Sequence, residues 1–183
     1  RTGALRRMLV EGLANTDARV ANDEPVSPAF LFALLLWPAF CRAQATLLKQ
    51  GVAPEEAQRR AADRVTVQQL STIALPRRFS LPMQEIWLLQ SRFGSRQRKR
   101  VFRTLTHPRF RAAFDFLTLR QVASAEHEAD VAFWREAQVQ PGRELESALD
   151  AMHAEPGDEE EGAPRKRRRR RRRSGATAGS AGE

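Results

Sequence analysis

The sequence LPRRFSLPMQEIWLLQSRFGSRQRKRVFRTLTHPRFRAAFDFLTLR, residues 75–120, interleaves short groups of apolar and basic side chains. Its apolar residues recur at spacings of three and four, which places them on one face of a helix. The residues that show this spacing are Met83, Ile86, Trp87, Phe110, Phe114 and Leu117. The stretch therefore predicts helices that bury an aromatic face and leave their basic side chains in solvent.

The rest of the chain predicts the same class of secondary structure. β-branched residues are sparse, tyrosine is absent, and no run alternates apolar with polar residues between hairpin turns. Four prolines predict helix starts, at Pro28, Pro54, Pro82 and Pro108. Because no sequence repeat is present, we expect an all-α globular bundle of seven or eight helices instead of a solenoid.

The most apolar run, AFLFALLLWPAF at residues 29–40, follows a helix-capping serine, Ser27. Twelve residues are too few for a membrane span, which needs about 20, and a proline interrupts them. We interpret the run as the central buried helix of the bundle. This interpretation places Phe32 and Leu35 in the core and does not make the membrane a partner.

The chain of 183 residues divides at a change of composition. Residues 1–142 have the length of one helical domain with a core of its own. Residues 143–183 segregate their charges into an acidic block, Asp158 to Glu161, and nine consecutive basic residues, Arg165 to Arg173. Blocks of like charge repel one another and lack core residues, so we expect a disordered tail, acidic at first and then arginine-rich.

Positive charge is concentrated in the folded part of the chain. Between residues 77 and 111, ten basic residues face a single acid, Glu85, for a net charge of +9, which equals the formal net charge of the whole chain. The ten are Arg77, Arg78, Arg92, Arg96, Arg98, Lys99, Arg100, Arg103, Arg109 and Arg111. Such a one-signed surface on a helical scaffold is typical of nucleic-acid binding, and a solvated charged face is the alternative.

Single-stranded RNA is the polyanion that suits this surface best. Arginine forms two hydrogen bonds with a phosphate and stacks on a base, whereas unpaired cations on one short helix repel each other. No base-reading motif is present, so we expect weak sequence selectivity. The arginine-rich tail would increase capture of RNA without fixing its register, and anionic lipid is an alternative partner for that tail.

Five ordered segments, together with two upstream ones, carry a resemblance to a known family. They are LPRR at 75–78, EIWLLQ at 85–90, SRQRKR at 95–100, HPRFRAAFDFLTLR at 107–120, the arginine run, NTDARV at 15–20 and PVSPAFLFALLLWP at 25–38. In this series the chain resembles the C-terminal part of bacterial poly(A) polymerase, of the nucleotidyltransferase group that includes the CCA-adding enzymes. No single segment is a chemical signature, and the ordered series is more specific than its parts.

The resemblance implies the RNA-binding C-terminal region of a polynucleotide adenylyltransferase, which adds poly(A) to RNA 3′ ends in mRNA processing and decay. It implies ATP and Mg²⁺ for the parent enzyme, and single-stranded RNA 3′ ends and RNA-decay machinery as partners. The chain has no glycine-rich loop leading into paired aspartates, so we expect no catalytic residue, metal ligand or cofactor site within it. The single cysteine, Cys41, fits a reducing cytoplasm.

Two other functions remain open from the sequence. One is the body of a tRNA CCA-adding enzyme, although the arginine run after a Pro-Gly-acidic linker favours poly(A) polymerase. The other is a noncatalytic RNA-binding adaptor. An adenylyltransferase domain encoded directly upstream would decide between an enzyme and an adaptor.

Overall fold

The computed structural model describes residues 2–70, 75–140 and 142–153. Within these ranges the chain forms eight α-helices and two 3-10 turns, without a β-strand, which confirms the all-α prediction. The helices are α1 (Thr2–Ala21), α2 (Pro28–Lys49), α3 (Pro54–Leu70), α4 (Arg77–Leu89), α5 (Arg98–Leu105), α6 (Phe110–Ala123), α7 (Glu128–Ala137) and α8 (Gly142–His153). The 3-10 turns are Gln90–Arg92 and Ala125–His127.

Two hydrophobic clusters form the core. The first cluster collects buried residues of α1 to α4 and one face of α6, with Trp37, Phe40 and Trp87 among them. The second cluster collects residues of α5, α7 and α8 together with the other face of α6, and it includes Phe93 and Trp134. Because α4 and α6 contribute to both clusters, these two helices join the halves of the bundle.

Trp87 lies at the centre of the first cluster without exposed surface. Its ring stacks on Phe40 with centroids 4.9 Å apart, and its indole N–H donates to the Ala33 carbonyl oxygen at 3.0 Å. The Gln58 side chain donates to the Trp87 carbonyl oxygen at 3.0 Å. A buried indole N–H needs an acceptor, so these contacts fix α4 against α2 and α3.

Gln90 and Arg120 link the two clusters with polar contacts. The Gln90 amide donates to the Ile86 and Ala113 carbonyl oxygens at 3.1 and 3.0 Å, and its oxygen accepts from Arg120 at 3.1 Å. The Arg120 guanidinium lies over the Trp37 ring, 5.2 Å from its centroid. Desolvation lowers the pKa of Arg120. The Gln90 oxygen and the Trp37 ring carry no net charge, but both stabilise the guanidinium cation.

Helix α2 begins as expected and extends further than expected. Ser27 accepts a hydrogen bond from the Phe30 N–H at 3.4 Å, and Pro28 is the first helical residue. The helix continues through Pro38 to Lys49. It is long and apolar enough to cross a membrane by length and composition, with a mean hydropathy of 1.5, but it packs along α3 and α4 and supplies much of the first cluster.

The burial of α2 corrects part of the predicted core. Leu34 and Ala33 are fully buried, and Leu34 packs so closely on α1 that a Cβ on Gly12 would lie 2.3 Å from its Cδ2 atom. Leu35, which we expected in the core, is 50% exposed, and Phe32 is only partly buried. The apolar run is apolar on every side, so spacing alone cannot identify its inward face.

Two of the four prolines begin helices as predicted. Pro54 is the first residue of α3, like Pro28 in α2. The prediction for Pro82 is wrong, because α4 begins five residues earlier, where the Pro76 carbonyl oxygen accepts from the N–H groups of Phe79 and Ser80. Because proline has no backbone N–H, Pro82 cannot donate to the Arg78 carbonyl oxygen. Arg78 lies in the exposed first turn of α4, so the loss of this one bond is tolerated.

Pro108 also lies outside the helix that it was expected to start, two residues before Phe110. Residues 143–153, which we expected in the tail, lie in α8. Leu145 and Leu149 are buried in the second cluster, so α8 belongs to the folded domain. The acidic block and the arginine run lie outside the described residues.

We predict that two neighbouring leucines of α2 differ in their effect on stability. Leu34→Ala should lower the free energy of unfolding by about 2 to 5 kcal/mol, because it opens a cavity in close-packed surroundings. Leu35→Ala, the matched control, should change it by less than about 1 kcal/mol. Urea unfolding followed by circular dichroism measures both. Equal losses in the two variants would contradict the assignment of the buried face.

Candidate nucleic-acid interface

Helix α5 carries its charges on a rigid support. Val101 and Thr104 are buried, and the Thr104 hydroxyl donates to the Arg100 carbonyl oxygen at 2.9 Å. At 100° per residue, Lys99, Arg100 and Arg103 lie on the other side of the helix, and all three are exposed. Within the described part of the chain, no carboxylate pairs with any of the three. We call these three residues the α5 cations.

The remaining cation of this helix faces α8. Arg98 lies 3.8 Å from a Glu146 carboxylate oxygen and 3.6 Å from one of Asp150. Leu145 and Leu149 anchor α8 in the second cluster, so these carboxylates are held in place. Helix α8 thus neutralises one side of α5, and it pairs with none of the α5 cations.

Arg96 has a structural role. Its guanidinium contacts the Asp130 carboxylate at 2.6 Å, donates to the Phe93 carbonyl oxygen at 2.7 Å and lies 4.0 Å from the centroid of the Phe133 ring. The expectation that Arg96 stays in solvent is therefore wrong, since only 24% of its side chain is exposed. Two of these partners, Asp130 and Phe133, lie on α7, more than 30 positions away in sequence, so local spacing does not reveal them.

A second basic group surrounds His107. The His107 Nδ1 atom accepts from the Arg109 backbone N–H at 3.1 Å, and the Arg109 side chain pairs with Glu85 at 3.1 Å. Desolvation lowers the pKa of His107; the charge of Glu85 opposes this shift, while those of Arg92 and Arg109 add to it. His107 is therefore neutral at neutral pH, and Arg92 lies close enough for its charge to act on it.

The ten basic residues expected to bind RNA fall into two groups, those with a carboxylate partner and those without one among the described residues. Arg77 and Arg78 are exposed in the first turn of α4, with Arg78 over the Phe79 ring at 4.8 Å, and Arg111 pairs with Asp115 one helical turn away at 3.4 Å. Of the ten, those with a carboxylate partner are Arg96, Arg98, Arg109 and Arg111. Those with none among the described residues are Arg77, Arg78, Arg92, Lys99, Arg100 and Arg103.

Sequence reasoning missed a pocket that includes one of the ten basic residues, Arg92. Its cavity of about 220 Å³ lies between the start of α3 and the 3-10 turn after α4. The residues that line it are Glu55, Gln58, Arg59, Leu88, Ser91 and Arg92. The two lining segments are about 30 residues apart in sequence, so only the packing of α3 on α4 brings them together.

The described residues offer binding groups more readily than reactive ones. No three histidine, cysteine, aspartate or glutamate side chains among them are placed to hold a metal ion. Burial raises the pKa of the Cys41 thiol from 9.0 to about 11, although the charges of Arg120 and Arg42 oppose this shift. That thiol is protonated at neutral pH and is a poor nucleophile.

Comparison with known proteins identifies the family of this chain. The family model of the polymerase A arginine-rich C-terminus matches residues 50–174. The chain belongs to this family. It is 36% identical over 155 residues to poly(A) polymerase I of Escherichia coli O6:H1, and 35% identical over 158 residues to poly(A) polymerase I of Salmonella typhi.

Poly(A) polymerase I of Haemophilus influenzae is 34% identical over 146 residues. These matches cover 83%, 84% and 78% of the chain, and 33%, 34% and 32% of the respective relatives. The chain thus spans about a third of the length of the poly(A) polymerases that it matches. The resemblance drawn from the sequence, to the C-terminal part of bacterial poly(A) polymerase, is confirmed.

We predict that Arg96 and Arg100 separate structural from surface cations. Arg96→Gln should lower the free energy of unfolding by about 1 to 2 kcal/mol, because it removes a charged hydrogen bond and a cation–π contact. Arg100→Gln, the matched control, should change it by less than about 0.5 kcal/mol. Urea unfolding provides the values. If Arg96→Gln leaves the free energy of unfolding unchanged, Arg96 has no structural role.

Proposed function

We propose that this chain is the RNA-holding region of a polynucleotide adenylyltransferase that adds poly(A) to RNA 3′ ends. The observation that carries the proposal is the set of α5 cations, which are exposed and have no carboxylate partner among the described residues, on a helix anchored by Val101 and Thr104. Membership of the polymerase A arginine-rich C-terminal family supports RNA as the polyanion.

RNA binding would work mainly through phosphates. Lys99, Arg100 and Arg103 lie within one and a half turns of helix, so their mutual repulsion is relieved when a phosphate chain lies across them. Counterions released from RNA supply much of the binding free energy. Because phosphates are the same in every sequence, this surface would hold many different 3′ ends.

Nucleotide chemistry would belong to another part of the enzyme. Poly(A) addition uses ATP and Mg²⁺, and divalent ions in such reactions are held by fixed carboxylates. The described residues present no such set, so we assign this part of the chain to holding and orienting the RNA. The residues that we propose contact RNA are Arg77, Arg78, Arg92, Lys99, Arg100, Arg103 and, after exchange of their carboxylate partners, Arg98, Arg109 and Arg111.

Partners and location follow from the same proposal. Single-stranded RNA 3′ ends are the substrate, and RNA-decay machinery is a further partner of an enzyme that marks RNA for decay. The cytoplasm is the compartment in which such an enzyme works. The arginine run of residues 165–173 would speed the first encounter with RNA through long-range attraction.

Two alternatives keep specific support. The body of a CCA-adding enzyme shares the nucleotidyltransferase group, although the arginine-rich family model favours poly(A) addition. A noncatalytic adaptor would use the same basic surface. The gene sequence upstream of Arg1 separates the enzyme from the adaptor, because only the enzyme encodes an adenylyltransferase domain there.

We predict that the α5 cations determine the salt dependence of RNA binding. Changing Lys99, Arg100 and Arg103 together to Gln should weaken binding to a single-stranded RNA. It should also flatten the slope of log affinity against log salt by about 2, since each lost phosphate contact on a single strand removes roughly 0.7. Fluorescence anisotropy across a series of salt concentrations measures this slope.

The control for this experiment removes the same charge elsewhere. Arg6, Arg42 and Arg64 lie on α1, α2 and α3 and are exposed, and their triple change to Gln should flatten the slope much less. Deleting residues 165–183 should mainly slow association. If that deletion abolishes binding while the α5 triple variant binds normally, the folded surface does not hold RNA and the adaptor alternative gains support.

We also predict that the isolated chain binds RNA without transferring AMP. Extension of a labelled RNA primer with ATP and Mg²⁺ should give no product, because no paired carboxylates are placed for the reaction among the described residues. The complete enzyme is the positive control. Template-independent tailing by the purified chain would place the catalytic groups inside it, contrary to the proposal.

A further inference from the structure

One wall of the pocket between α3 and α4, formed by Gln58, is fixed by the core. Gln58 is only 6% exposed, and its amide donates to the Trp87 carbonyl oxygen at 3.0 Å. The Gln58 oxygen accepts from the Ser91 hydroxyl at 3.0 Å. Since Trp87 is itself immobilised in the first cluster, the Gln58 side of the pocket is in place before any ligand arrives.

The groups that remain for a ligand are of three kinds. Leu88 supplies an apolar wall. At the rim, the Glu55 carboxylate and the Arg92 guanidinium have no ion-pair partner in the described ranges, whereas Arg59 is held by Glu56 at 2.7 Å. The pocket therefore offers an apolar surface, a hydrogen-bond acceptor and a planar cluster of donors.

These groups match a nucleobase better than an inorganic anion. A base has a flat apolar face for contact with Leu88 or for stacking on a guanidinium, and both donors and acceptors along its edge. A free anion would be repelled by Glu55 and would leave the apolar wall unused. The volume of about 220 Å³ suits one ring system and not a stretch of RNA.

We propose that this pocket receives one base of the bound single-stranded RNA, with Arg92 on the base and Glu55 accepting from an amino or imino group. The inference rests on the proposed RNA-binding function and adds a base contact to the phosphate contacts of α5. Arg92 lines the pocket and is also one of the basic residues that we propose contact RNA, so the two kinds of contact meet at this residue. The affinity of this chain for RNA then depends on the bases as well as on the phosphates.

The test compares two strands and two arginines. The strands are a 12-nucleotide oligoadenylate and a matched strand of abasic nucleotides, which keeps the phosphates and removes the bases. The variants are Arg92→Lys and its control Arg100→Lys; both keep the positive charge and lose the planar guanidinium. Both positions are exposed, and a urea unfolding curve checks that each variant is folded.

The wild-type chain should bind the base-bearing strand about 5- to 100-fold more tightly than the abasic strand, the range expected for one stacked base. Arg92→Lys should remove most of this ratio, whereas Arg100→Lys should leave it unchanged. In addition, a photoreactive 8-azidoadenine in the strand should cross-link to the peptide that contains Ser91 and Arg92.

The contrary results separate this inference from the proposed function. If the wild-type chain binds both strands equally, or if Arg92→Lys weakens both by the same factor, the pocket holds no base although RNA binding stands. If the wild-type chain binds neither strand, the proposed function itself fails. A cross-link confined to other peptides also overturns the pocket assignment.

Discussion

The indole of Trp87, fully buried, donates to the Ala33 carbonyl oxygen, while the Trp87 carbonyl oxygen accepts from Gln58. These bonds hold the end of α4 between α2 and α3. Six residues further along, the Phe93 carbonyl oxygen accepts from the Trp134 indole at 2.7 Å, which fixes the same segment against α7. The chain from α4 into α5 is thereby clamped in both clusters, and the positions of Arg92 and the α5 cations follow from it.

Charge pairing then shapes the surface that this scaffold presents. Asp130 of α7 pairs with Arg96, and two acids of α8 lie close to Arg98, so neighbouring helices neutralise these two cations. The α5 cations are left without carboxylate partners among the described residues. A ligand with closely spaced negative charges gains most from a surface of this kind, because it meets concentrated charge on a support that needs no rearrangement.

Sequence periodicity predicted the helices and much of the core, since the stripes through Trp87 and Phe114 are buried as expected. Periodicity failed where contacts between segments distant in sequence determine which residues are buried or paired. The charge blocks after residue 153 favour a tail from residue 143 onward, yet residues 143–153 lie in α8. The run of residues 29–40 is apolar on every side of α2, so its pattern does not distinguish the exposed Leu35 from the buried Leu34. The partners of Arg96 and the pocket beside Arg92 each combine segments distant in sequence, so no local pattern indicates them.

The central claim is that the folded surface, and not the arginine-rich tail alone, holds RNA. Amide chemical-shift mapping of the labelled chain of residues 1–183 during titration with single-stranded RNA tests it most directly. The account predicts shift changes at Arg92 and along Lys99 to Arg103, and small ones at the equally exposed Arg6 and Arg64. Shift changes confined to residues after 153 would contradict it.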